Sequence, residues 1–189
     1  GSEMCIRDRP TRTTQFGRFD KGLAYTILMK YYMHEKNWAK AEECGRELLK
    51  AEYGYGLMDR YADIFTLENE GNKEIIFACT EERGTNLQLW HDHALPGNYP
   101  TKNASIQKWD GYKVPWPFYR TFEEGDDRLS VLVGEYVGTD GVLFNEESDI
   151  AKHGNLYSGA VPVKYGEDPE STGDGSQIDL VVYRYADVL

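Results

Sequence analysis

The sequence predicts a mostly α-helical fold: a tetratricopeptide-like helical scaffold with a long loop-rich segment and few short strands. Three observations lead there. Residues 18–52 hold two runs of helical periodicity joined by a short polar connection. Residues 84–175 lose periodicity among scattered Gly, Pro, Asn and Asp. Between them, "NKEIIFACTEE" is the clear strand, with Ile75, Ile76 and Phe77 as its apolar centre.

Along the chain, "GSEMCIRDR" (residues 1–9) shows no periodicity tying it to the residues after it. It lacks the apolar core of roughly 7–15 residues that a secretory signal carries. It resembles translated sequencing-adapter DNA and is set aside as a non-native leader. Residues 10–189 are read as one domain. In the first helix Ala24, Ile27, Leu28 and Tyr31 recur at the spacing of one face. Asn37 is placed to cap the second, where Trp38, Ala41, Gly45, Leu48 and Leu49 line one side, with Trp38 as core. The short connection makes the two an antiparallel αα-hairpin. Gly45 costs ~1 kcal/mol of helix propensity relative to Ala, offset by close approach to the Ala24 side of the first helix. "EYGYGL" then breaks the helix and "LMDRYADIF" reads as a short helical segment. One such pair is the build of a tetratricopeptide-like repeat, of which an array needs at least three. At the far end "DLVVYRYADVL" opens an apolar pattern near residue 180 that no Gly, Asn or Pro closes, so a truncated final helix is expected and the chain reads as an internal fragment.

Composition narrows the function classes. The net charge of −11 argues against nucleic acid, whose phosphates call for Lys and Arg, and against direct docking on an anionic bilayer. No apolar run approaches the ~20 residues of a membrane helix. Cys44, in a helical pattern, and Cys79, at a strand end, are read as two buried thiols rather than a disulfide. Fourteen Tyr, four Trp and seven Phe supply many amphipathic rings, which suit a binding face as well as a core.

Several segments in this order resemble the SusD/RagB family. "GRFDKGLAYTILMKYYMHEKNWAKAEECGRELLKAEYGYGL" is similar to its helix pair, and "YADIFTLENEGNKEIIFA" to its Phe…Asn…Glu-Ile-Ile-Phe passage. "FYRTFEEGDDRL" resembles its Phe-x-x-x-Asp-x-Arg segment, with Asp127 and Arg128 matching a structural pair, and "VKY" and "DLVVYRYADVL" resemble later passages. The likeness runs over residues 17–189. It implies an outer-membrane lipoprotein of Bacteroidetes at the cell surface. Such a protein would bind glycans without catalysis and deliver them to a TonB-dependent, SusC-like transporter. Its lipid anchor, the sole membrane attachment implied, lies outside this fragment. No cofactor is implied.

A sugar offers C–H groups on its faces and hydroxyls around its edge; rings cover the first, and Asn, Asp and His reach the second. Loops are where such contacts concentrate. The ligand-binding candidates are therefore Trp90, His91, Asp92, Asn98, Tyr99, Trp109 and Trp116, with Asn103 and Tyr112 beside them. For each Trp the alternative is a ring that pins its loop to the scaffold. "HDH" invites a zinc reading, since alternate residues of an extended chain point the same way. Zinc needs three or four ligands, however, and neither His34 nor His153 has a fixed spacing to the pair. No metal site is assigned. Residues 168–179 echo a calcium loop but carry Asp179 at the twelfth position and no flanking helices, so a solvated acidic loop is preferred and calcium stays open. "EEGDD" reads as the wet face of an amphipathic segment, not as a glycosidase carboxylate pair. No catalytic motif appears, and no enzyme is expected. The alternatives to glycan capture are a helical-repeat scaffold that binds protein, and a glycoside hydrolase.

Overall fold

The computed structural model describes residues 8–150, 152 and 154–189. Cys5, most of the 1–9 segment and His153 lie outside them. Of that segment, Asp8 and Arg9 are described, and the Arg9 guanidinium donates to the Phe19 carbonyl at 2.8 Å. The chain forms two compact units.

The first unit takes residues up to 59, 71–80 and 180–189. Helix α1 (Lys21–His34) begins at Asp20, whose carboxylate accepts from the amides of Leu23 at 2.9 Å and Thr13 at 3.0 Å. Helix α2 (Trp38–Leu48) begins at Asn37, which accepts from the Lys40 amide. Lys36 makes the turn between them in the left-handed region, φ 58°. The buried stripe of α1 is Gly22, Leu23, Thr26 and Met29, while Ile27 and Tyr31 are exposed. Polar Thr26 can face inward because its hydroxyl donates to the Gly22 carbonyl at 2.8 Å, a satisfaction that apolar periodicity does not register. On α2 the stripe is Ala41, Cys44, Gly45 and Leu48. Trp38, one turn earlier, is 63 % exposed rather than core. Gly45 faces Met29 rather than Ala24: a side chain there would meet the Met29 sulfur at 3.6 Å.

Strand β1 (Ile75–Cys79) pairs antiparallel with the strand at Leu180–Arg184, Ile75 opposite Arg184. The segment near 180 is thus a strand, followed by a 3-10 turn at Tyr185–Asp187, and not a helix. Its β-branched Val181 and Val182 suit a pleat, and β1 supplies the ladder. Glu74 clamps this end of the pair: its buried carboxylate accepts from the Met58 amide at 2.8 Å and from Arg184 at 3.0 Å. Cys44 is buried, but Cys79 is exposed at the last position of β1.

The second unit takes residues 60–70 and 81–179. "LMDRYADIF" yields only a 3-10 turn, Ala62–Phe65. Helix α3 is Trp90–Ala94, α4 is Trp116–Tyr119 and α5 is Glu146–Ile150. Strands β2 (Val114–Pro115) and β3 (Leu132–Val133) flank β6 (Gly159–Pro162), all antiparallel; β4 (Glu135–Val137) and β5 (Leu143–Asn145) make a hairpin, and Leu180–Arg184 is β7. Strand β6 is wholly buried, and the core around it holds Leu95, Ile106, Trp116, Tyr136, Leu156 and Val161.

The mostly helical, tetratricopeptide-like expectation is therefore corrected. Among the described residues there are five α-helices and seven strands in three sheets, 31 % helical and 16 % strand. Only one helix pair of ordinary length forms among them, where a repeat array needs at least three. The strands escape the sequence for two reasons. They are two to five residues long, too short for a period-2 signal. Strand β6, "GAVP", and β2, "VP", also contain the Gly and Pro that normally mark turns.

Two substitutions test this packing. Leu48→Ala should cost ~2–5 kcal/mol by denaturant unfolding, as deletion of a fully buried aliphatic side chain does. Gly159→Ala should also destabilise strongly, because a Cβ would lie 2.0 Å from the Val114 carbonyl oxygen and only backbone movement could relieve it. A Gly159→Ala protein as stable as wild type would contradict the β2–β6 pairing.

Candidate functional site

The second unit carries a chain of aromatic rings organised by α3. Gln88, bridged to Ser176, accepts from the Trp90 amide at 2.6 Å and so fixes where the helix starts. The half-buried Trp90 indole donates its N–H to the Pro162 carbonyl at 2.9 Å. Its ring stands edge-on to Tyr165 at 5.6 Å and tilted against Tyr112 at 5.5 Å. His93 stacks on Tyr112 and meets Trp109 edge-on, each at 4.9 Å. The loop bearing Trp109 and Tyr112 is sewn to α3 by backbone bonds. The Trp109 amide donates to the Asp92 carbonyl, and those of Gly111 and Tyr112 donate to the His93 carbonyl, each at 2.6 Å. Asp110 makes the bend with φ 56° and pairs with Lys113. Trp109 and Tyr112 are 46 % and 44 % exposed, so two rings of a fixed cluster face solvent.

Two neighbouring cavities are lined by described residues of this unit. One of about 200 Å3 is walled by Trp90, His91, Leu95, Tyr99 and Tyr165. An open trough of about 670 Å3 runs along Thr66, Glu68, Lys102, Asn103 and Glu167.

The candidate residues thus divide. Trp90, Tyr99 and Trp109 come to the aromatic cluster or its cavity, with Tyr112. Trp116 is buried and donates to the Leu156 carbonyl at 2.9 Å, so it pins the core. Asn98 accepts from the Tyr136 hydroxyl at 2.9 Å and the Asn155 amide at 2.7 Å. Asn103 is a loop staple, donating to the carbonyls of Asp168, Pro169 and Ser171. Asp92 is fully buried and accepts from the Gly175 amide at 3.0 Å. His91 is 3 % exposed, 3.4 Å from the Asp92 carboxylate, and neither of its nitrogens makes a hydrogen bond among the described residues. Burial pushes its pKa below the usual 6.5, against the pull of the Asp92, Asp168 and Glu167 carboxylates.

"HDH" is helical, not extended, so His91 and His93 are two apart on a helix and do not face one another. One is buried and the other lies between rings. Among the described residues no group of three or more His, Cys, Asp or Glu could hold a metal. Asp168 instead braces its loop, accepting from Arg83 at 3.1 Å, the Gln177 amide at 3.0 Å and the Glu170 amide at 2.9 Å. In "EEGDD" the ion pair is Asp126–Arg128, while Asp127 accepts from the Tyr61 amide. Sequence pattern does not single out Tyr165, Glu167, Glu68 or Lys102. The available signal is an aromatic residue set directly before Gly166 and an acidic loop.

No family model matches the chain, and no curated protein matches it significantly. Solved structures do. A SusD superfamily protein from Parabacteroides distasonis superposes with a TM-score of 0.71 at 17 % identity, over 96 % of this chain and 40 % of its own. The chain shares its fold with that structure. Surface glycan-binding protein A from Bacteroides uniformis gives 0.72 at 19 % identity, over 99 % of this chain and 41 % of that one. The same-named protein from Bacteroides thetaiotaomicron, in complex with laminarihexaose, gives 0.71 at 16 %, over 99 % and 46 %. The chain spans less than half the length of each of these structures, and at such identities the likeness is one of fold.

His91 makes stability depend on pH in a definite direction. Above about pH 6.5 the imidazole is neutral in folded and unfolded chains alike and adds no slope. Below it the unfolded chain takes up the proton first, so stability falls until the lower folded pKa is passed. Glu70 and Asp179, whose pKa values burial raises, act in the opposite sense at lower pH. Denaturant unfolding between about pH 7 and pH 5.5 should show a shallower loss for His91→Gln than for wild type. Parallel curves would remove His91 from the account.

Proposed function

We propose that this chain is part of a SusD/RagB-like glycan-binding protein that holds oligosaccharides by reversible contact, with no bond made or broken. The observation that carries the reading is the aromatic cluster, with Trp109 and Tyr112 exposed and locked in place by the α3 carbonyls. Rings that need no ordering on binding lose little entropy and can cover the C–H face of a sugar. Support comes from fold neighbours described as surface glycan-binding proteins, one of them solved with laminarihexaose. Delivery to a TonB-dependent, SusC-like transporter, attachment through a lipid anchor and placement on the outer membrane belong to the same reading and rest on the family resemblance. No helix among the described residues is long and apolar enough to cross a membrane.

Calorimetric titration against laminari-, malto- and xylohexaose tests it. At least one should bind, and Trp109→Ala or Tyr112→Ala should weaken that binding roughly tenfold, the factor that ~1.4 kcal/mol represents. Phe118→Ala, at another exposed ring, should not. Failure of every glycan to bind would overturn the proposal.

A further inference from the structure

The aromatic cavity and the open trough share a border. Gly166 and Glu167 line both the aromatic cavity and the open trough. A cavity of roughly 150 Å3 accepts a benzene ring, so the smaller one, at about 200 Å3, has room for one six-membered ring. The trough, at about 670 Å3, is within the ~300–1,000 Å3 range of small-molecule sites. Their walls differ in chemistry. Trp90, Tyr99 and Tyr165 give the small cavity apolar faces, whereas Glu68, Lys102 and Glu167 make the trough polar.

Glu167 stands where these surfaces meet, and its position is fixed. One carboxylate oxygen, Oε2, accepts from the backbone amides of Lys102 at 2.8 Å and Asn103 at 3.3 Å. These bonds leave Oε1 available to accept from hydroxyls. A carboxylate held in this way attracts hydroxyl donors and repels an anionic group. Glu68, in the same trough, adds to that repulsion; Lys102 is the one cation among the described residues that line the trough, and Lys108, which donates to the Tyr99 carbonyl at 2.7 Å beside the small cavity, acts against Glu167 from that side. The net charge of −11 acts in the same sense at longer range.

We propose that cavity and trough form one continuous site for a neutral oligosaccharide. One sugar ring lies among Trp90, Tyr99 and Tyr165, adjoining rings follow the trough, and Glu167 selects against acidic glycans at the junction. This rests on the glycan reading above. It differs in placing the ligand inside the two cavities and in naming its charge class.

The test uses the whole 189-residue chain, with thermal melts to confirm that each variant folds. Three neutral hexasaccharides (laminari-, malto- and xylohexaose) and hexagalacturonate are titrated at low ionic strength. The best neutral ligand should bind at least about tenfold more tightly than hexagalacturonate. Glu167→Gln can still accept from the Lys102 and Asn103 amides but lacks the charge, so it should narrow that ratio severalfold. Ala104→Trp, at an exposed position lining the trough, should weaken hexasaccharide binding. A ratio unchanged by Glu167→Gln overturns the role of Glu167. Hexasaccharide binding indifferent to Ala104→Trp overturns the trough. Binding lost with Trp109→Ala but insensitive to both variants places the sugar on the exposed rings alone: the glycan reading then stands and this proposal falls. Binding of no glycan defeats both.

Discussion

The hydrogen bond from the Trp90 indole to the Pro162 carbonyl organises the candidate site. Indole has a single polar group, a donor, and here it is spent on the buried strand β6. The ring is thereby held at a fixed angle, and its neighbours take their places around it. Tyr165 lies against one side, Tyr112 against another, and His93 and Trp109 continue the series outward. A tryptophan satisfied in this way offers a ligand its surface but no hydrogen bond. Direction must then come from groups such as the Glu167 carboxylate, which is itself anchored by two backbone amides.

Strand β6 can serve as that anchor because it gives up side chains where its neighbours come close. Gly159 lets the Val114 carbonyl approach to a distance no Cβ would tolerate. Ala160 and Val161 are fully buried, and Pro162 presents the carbonyl that Trp90 uses. Burial on both faces, short length and small residues go together here, as they do where backbones must pack closely. The acidic loop after β6 is held by charge. Asp168 is wholly buried, and the ionic hydrogen bond from Arg83 and two backbone amides offset the desolvation of its carboxylate.

How much of this is legible in the sequence depends on distance along the chain. The hairpin of α1 and α2 and strand β1 can be read because their signals are local: helical periodicity, a cap at Asn37, and a compact apolar run at residues 75–77. Periodicity misplaces the inward face of α1 because Thr26 hides its polarity by bonding to its own helix. The β2–β6 and β1–β7 pairings are invisible because their partners are far apart, Val114 with Ala160 and Ile75 with Arg184, and the β4–β5 hairpin because its strands are three residues each. Within the site, residue type marks the rings but cannot separate Trp116, whose N–H is tied down in the core, from Trp109, whose ring is exposed. Glu167 is marked in the sequence only as one acid of an acidic loop, since its meaning lies in amides 64 and 65 positions away.

The interleaving of the two units has a consequence for how the protein is made. Strand β1 is complete by Cys79, yet its ladder partner is Leu180–Arg184, so about a hundred residues are synthesised between the two. At ~5–20 residues per second, β1 stands without its partner for several seconds on the ribosome. An unpaired strand edge is a template for pairing with another chain. Late closure of the first unit therefore exposes the nascent protein to misassembly at the end of the strand that carries Cys79. Slower translation of the second unit should lengthen that exposure.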